Sequence, residues 1–150
     1  MHYHYYHRCL NLLDELKERK CSLGENLVSV AETLNTLGLV HQHMSGDQDT
    51  AIRLHREALN IYYSQQKSQK ILMEIAIILA NIGSCFWIKA QYTESKYEFK
   101  KSLELLENCD LPKATFCRHS VQRRLTYIDE IFSDVKKEIS IKNVQQQSSK

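Results

Sequence analysis

The sequence predicts an all-helical protein of about six helices, arranged as antiparallel pairs, and three observations predict it. Across 150 residues there are one proline and four glycines, too few for the turns that a sheet of short strands requires. Apolar residues recur at helical spacing through long uninterrupted segments. One pattern of small and aliphatic residues also occurs twice, in matched order, and self-similarity at such a period marks a repeat architecture.

The two copies open on "AETLNTLG" at 31–38 and "IILANIG" at 77–83. The first reads Leu34-x2-Leu37-Gly38-x2-His41, then Ala51-x3-His55-x2-Ala58-Leu59. The second reads Leu79-x2-Ile82-Gly83-x2-Phe86, then Ser95-x3-Phe99-x2-Ser102-Leu103. The glycines are offset by 45 residues and the later small residues by 44. One extra residue therefore belongs to the inter-helix turn of the first copy, near "MSGDQDT". Leu34, Leu37 and His41 fall at i, i+3 and i+7, one face of a helix. A glycine on that face costs about 0.5–1 kcal/mol relative to alanine, so its repetition predicts a close approach of the second helix. Ala51 and Ala58, with Ser95 and Ser102, supply the small residues on that second helix, seven apart and so nearly stacked.

Taken in order, the helices are expected at 3–20, 25–45, 48–64, 68–90, 92–108 and 113–139. "YYHRCLNLL" aligns with "LHREALNIY", so 3–20 reads as a lone second helix, a half repeat. Full repeats follow at 25–64 and 68–108. "ENCDLP" is a loop whose Asn, Asp and Pro112 stop the helix before it. Beyond it, Val121, Leu125, Ile128, Phe132 and Val135 step by fours and threes along one stripe. That segment is either the first helix of a further unit or a terminal cap. The repeat domain spans 1–141, and 142–150 is polar, aperiodic and expected to be disordered.

Leu34/Leu37/Gly38 with Ala51/Ala58, and Leu79/Ile82/Gly83 with Ser95/Phe99/Ser102, resemble the tetratricopeptide repeat. The long period, "VAETLNTLGLVHQ" and "REALNIY" look most like the kinesin-light-chain and nephrocystin-3-like variety, although leucine replaces the usual first-helix tryptophan. The resemblance implies a right-handed α-solenoid whose inner face is lined by first helices. Its inward positions would be Glu32, Asn35, Thr36, Leu39, Gln42 and His43 in one repeat, and Ile77, Ala80, Asn81, Ser84, Trp87 and Ile88 in the next. It implies protein–protein recognition: a peptide or partner helix docked in the concave groove by an adaptor or scaffold. Asn81 would then bond an extended peptide backbone, an amide being both donor and acceptor; a solvated amide is the alternative. Trp87 is either a rigid contact for the partner or a core residue between repeats. Leu39 and Ser84 stand where chaperone-gripping repeats carry asparagine, which argues against a carboxylate clamp.

Composition narrows the remaining choices. The chain is 43% hydrophobic and 25% charged with net charge +2, ordinary for a globular domain. Five cysteines without a CxxC pair point to free thiols in a reducing compartment, hence a cytoplasmic protein. No apolar run is expected to span a membrane. His2, His4 and His7 lack a neighbouring carboxylate before Asp14, and Cys109, Cys117 and His119 fit no zinc spacing, so neither metal nor cofactor is expected. Phosphate loops, GxSxG and HExxH are missing, and no enzyme is expected. Two other functions stay open. Leu10, Leu13 and Leu16 on the unpaired second helix 3–20 would favour self-association. Residues 111–150 hold eight Lys/Arg against four Asp/Glu, which could contact nucleic acid, although interleaved acids weaken that field.

Overall fold

The computed structural model describes His4, His7, Arg8, Asn11, Glu15 and residues 27–148. Those five N-terminal residues are helical; the rest of the expected half repeat, including Leu10, Leu13 and Leu16, lies outside the described residues. Among the described residues there are five α-helices and no strand. They are α1 (Leu27–Val40), α2 (Gln48–Tyr63), α3 (Gln69–Ile88), α4 (Tyr92–Glu107) and α5 (Pro112–Ser148), with a π-helical turn at His41–Ser45 closing α1.

Local chemistry sets these boundaries. Asp47 caps α2 by accepting the Thr50 N–H at 3.0 Å, and Ser68 caps α3 by accepting the Ile71 N–H at 3.3 Å; both satisfy donors that a helix start leaves free. Pro112 opens α5, where its missing N–H costs nothing. The two inter-helix turns are related by the repeat. Gly46 has φ +67° and Ala90 has φ +57°, and they stand 44 positions apart. Since Gly38 and Gly83 are 45 apart, the extra residue lies between 38 and 46. It is absorbed by the π-helical turn, whose wider winding takes one more residue per turn. The sequence placed it near "MSGDQDT", whose first two residues belong to this turn.

Each helix packs chiefly on its neighbours along the chain: α1 on α2, α2 on α3, α3 on α4, and α5 on α4 with a smaller contact to α3. The glycines occupy places where two of these helix pairs approach closely. A Cβ on Gly38 would lie 2.6 Å from Cε1 of His55, and one on Gly83 would lie 2.9 Å from Cδ1 of Phe99. Ala51 and Ala58 in α2, and Ser95 and Ser102 in α4, are wholly buried against the same partners. The serine hydroxyls donate to α3, Ser95 to the Gly83 carbonyl at 2.8 Å and Ser102 to the Ala76 carbonyl at 2.7 Å. Leu34, Leu37, Leu79 and Ile82 are buried beside them.

Two cores result, and α3 serves both. Ile75, Ile78, Leu79 and Ile82 join Leu34, Leu37, Ala58 and Tyr62 in one. Met73 and Ala76 join Phe99, Leu106, Val121, Leu125 and Ile128 in the other. This double duty makes α3 apolar on most of its circumference. By length and composition alone it is apolar enough to cross a membrane, contrary to the sequence expectation, but the contacts just described account for that character.

The last helix also departs from expectation. It runs to Ser148, through the tail expected to be disordered and well past the predicted end at 139. No glycine or proline interrupts 113–148, and its glutamines and lysines are good helix formers.

Candidate functional site

The turn after α1, the end of α3 and one side of α5 line an open cleft of about 390 Å³. Gln42 and His43 reach it from the turn after α1, Ser84, Trp87 and Ile88 from α3, and Arg123, Arg124 and Tyr127 from α5. Helices α2 and α4 contribute nothing to its lining. A smaller cleft of about 140 Å³ adjoins it, between Ile77, Ala80, Asn81 and Ser84 of α3 and Phe116, Cys117, Ser120, Val121 and Arg124 of α5, with Phe99 of α4 at its floor. Ser84 and Arg124 line both.

Hydrogen bonds tie α1, α3 and α5 together. The Asn81 amide donates to Oδ1 of Asn35 at 3.1 Å, linking α3 to α1. The Arg124 guanidinium donates to the Ser84 hydroxyl, linking α5 to α3. Arg124 also lies 5.7 Å from the centre of the Phe99 ring, a cation–π distance. Partial desolvation, and then the charge of Arg123, hold its pKa below the ordinary arginine value.

Trp87 is half-buried and wedged between two tyrosines. Tyr92 meets it edge-on at 5.3 Å between ring centres, and Tyr127 meets it tilted at 5.1 Å. Trp87 is thus part core and part cleft wall. Ile88 and Tyr127 beside it are exposed.

Of the predicted inward residues, Gln42, His43, Ser84 and Trp87 share the larger cleft, and Asn81 lines the smaller one. Gln42 is less available than predicted: it is buried, and its backbone carbonyl accepts the Gln48 side-chain N–H at 3.1 Å. Asn35 is occupied by Asn81. Leu39 is half-buried and lines neither cleft. Arg123, Arg124, Tyr127 and Phe116 were missed. Their signal was present, because Arg123 and Arg124 stand four and three residues before Tyr127, spacings that bring each onto its side of a helix. The acids interleaved along 113–139, which weaken its basic charge, hid it.

Among the described residues no three His, Cys, Asp or Glu side chains come together. Cys109 is buried, Cys117 is half-buried and His119 is exposed. Burial raises the Cys117 thiol above its usual range and pushes Cys85 up to about 11, the reverse of what activates a thiol. Part of the basic charge on α5 is already spent. Arg118 donates to the carbonyls of Leu106 at 2.7 Å and Cys109 at 3.2 Å, closing the end of α4, and Lys137 pairs with Asp134.

No protein-family model matches the chain, and no curated protein is similar to it at a significant level.

Proposed function

We propose that the chain is a tetratricopeptide-like interaction module that binds a peptide or partner helix along its row of first helices, without chemistry. The observation that carries this reading is the cleft drawn from the turn after α1 and from α3 and α5 alone. Its polar side chains and exposed aromatic and aliphatic groups sit on rigid helices, the arrangement that recognition sites favour. The repeated glycine contacts support the solenoid part of the proposal, since they give α1/α2 and α3/α4 one packing geometry. Free Cys85, Cys109 and Cys117 suit a reducing compartment, and a cytoplasmic adaptor or scaffold is the setting proposed.

Site-specific photo-crosslinking tests the groove. A photoreactive residue at His43 or Ile88 should capture the partner, and one at Glu57 on the second-helix face should not. Trp87→Ala should reduce capture without lowering helicity. Capture from Glu57 alone, or capture indifferent to Trp87→Ala, would remove the groove from consideration.

A further inference from the structure

The larger cleft has an electrostatic feature that the groove reading leaves unused. Arg123 and Arg124 are neighbours in the chain and both line it, yet no carboxylate does. Neither arginine takes part in an ion pair with another described residue. Arg124 spends one donor on Ser84, and a guanidinium has five. Two adjacent cations, one of them partly desolvated, are therefore left without an opposite charge at the mouth of an aromatic-walled cleft.

A ligand that completes this site must be anionic at one end and flat and apolar at the other. A single carboxylate neutralises one of the two arginines. A phosphate monoester carries about −1.5 to −2 at neutral pH and three acceptor oxygens, enough for both, and guanidinium forks match its geometry. The apolar end would meet Trp87 and Tyr127, which present ring surface to the same space. A cleft of about 390 Å³ holds one aromatic side chain with its phosphate, not a stacked run of bases.

Building on the groove reading above, we propose that this cleft seats a phosphorylated tyrosine of the partner protein. Its ring lies against Trp87 and Tyr127, and its phosphate lies between Arg123 and Arg124. Recognition by the module is then conditional on phosphorylation of the partner.

Trp87 is the only tryptophan in the chain, so its fluorescence reports on this site alone. Phenyl phosphate titrated into the full chain should change that emission saturably. Arg123→Ala and Arg124→Ala should each raise the midpoint by about tenfold, the loss of one charge-assisted contact. Arg123 is exposed and unpaired, so its variant should melt as the wild type does, and Arg124→Lys controls for loss of packing on Phe99. Inorganic phosphate and phenol, each lacking half of the ligand, should bind more weakly. Phenylacetate binding as tightly as phenyl phosphate would overturn the dianion assignment, and so would indifference to both arginine changes. Tighter binding of oligouridylate would assign the cleft to nucleic acid instead. If phenyl phosphate fails while crosslinks from His43 and Ile88 persist, the phosphate proposal alone is lost; if both fail, the groove is lost as well.

Discussion

Gly38 and His55 form one contact, and Gly83 and Phe99 form its counterpart in the next helix pair. Alanine at either glycine would gain about 0.5–1 kcal/mol of helix propensity but would force a methyl into a buried ring, at roughly 1–3 kcal/mol. Packing wins, so Gly38→Ala and Gly83→Ala are each expected to lower the stability measured by urea unfolding. A stabilised Gly83→Ala would mean that the helices part easily. The sequence made both glycines legible through their repetition, but not what lies over them. At position 55 that is a fully buried imidazole, neither of whose nitrogens has a hydrogen-bond partner among the described residues. Burial, with a smaller contribution from His43, holds its pKa at about 4 instead of 6.5. Above pH 6.5 the ring is neutral whether the chain is folded or not. As pH falls from 6.5 towards 4 the unfolded chain takes up a proton that the folded chain refuses, and roughly 3 kcal/mol of stability is lost. His55→Phe, which copies the second pair, should remove that part of the pH dependence. Unfolding of the two proteins at pH 7 and pH 4.5 checks it, and parallel losses would show that His55 does not cause the effect.

At the scale of helices and turns, the two copies solve one problem with different residues. Each first helix must reverse into its partner through a left-handed residue. Gly46 does so at no steric cost, whereas Ala90 carries a Cβ in a conformation disfavoured by about 1–2 kcal/mol. The second turn is otherwise well bonded: the N–H of Gln91 reaches the Phe86 carbonyl at 2.9 Å, and that of Ala90 reaches the Trp87 carbonyl at 2.9 Å. These bonds satisfy the last carbonyls of α3. Ala90→Gly should therefore raise the melting temperature, offset only by the added flexibility of the unfolded chain. Gly46→Ala should lower it through backbone strain alone, because a Cβ there would meet nothing within 4 Å. An Ala90→Gly protein less stable than wild type would refute the strain argument. The change of offset from 45 to 44 announced that a residue had been inserted. It did not reveal a π-helical turn, because Leu37, Gly38 and His41 fit one helical face whether or not the winding widens after them.

Over the whole molecule, the helix-pair organisation could be read from the sequence and the site only in part. Residues of α1 and α3 were placed by the repeat, but α5 lies outside the repeated unit, so no internal copy showed where Arg123, Arg124 and Tyr127 would point. Tertiary packing decides that. Val121, Leu125 and Ile128 bury one side of α5 in the second core, which turns the arginines towards Ser84 and the cleft. The same stripe continues to Val135 and Ile139, which are exposed. At 1.5 Å per residue, α5 is about 55 Å long against about 24 Å for α4. No described side chain from Ser133 to Asn143 is buried. A helical segment that short is marginal in water on its own, so the distal half of α5 should fray before the core unfolds. Deleting 134–150 should then leave the cooperative melting transition close to its original temperature, and hydrogen exchange should find amides after Ser133 far less protected than those of 114–128. If the deletion costs the bundle a large part of its stability, or if those amides exchange as slowly as the core, then Val135 and Ile139 are covered in solution and the chain self-associates through them. Light scattering on the full-length and shortened chains would show that directly, as a loss of mass beyond the residues removed.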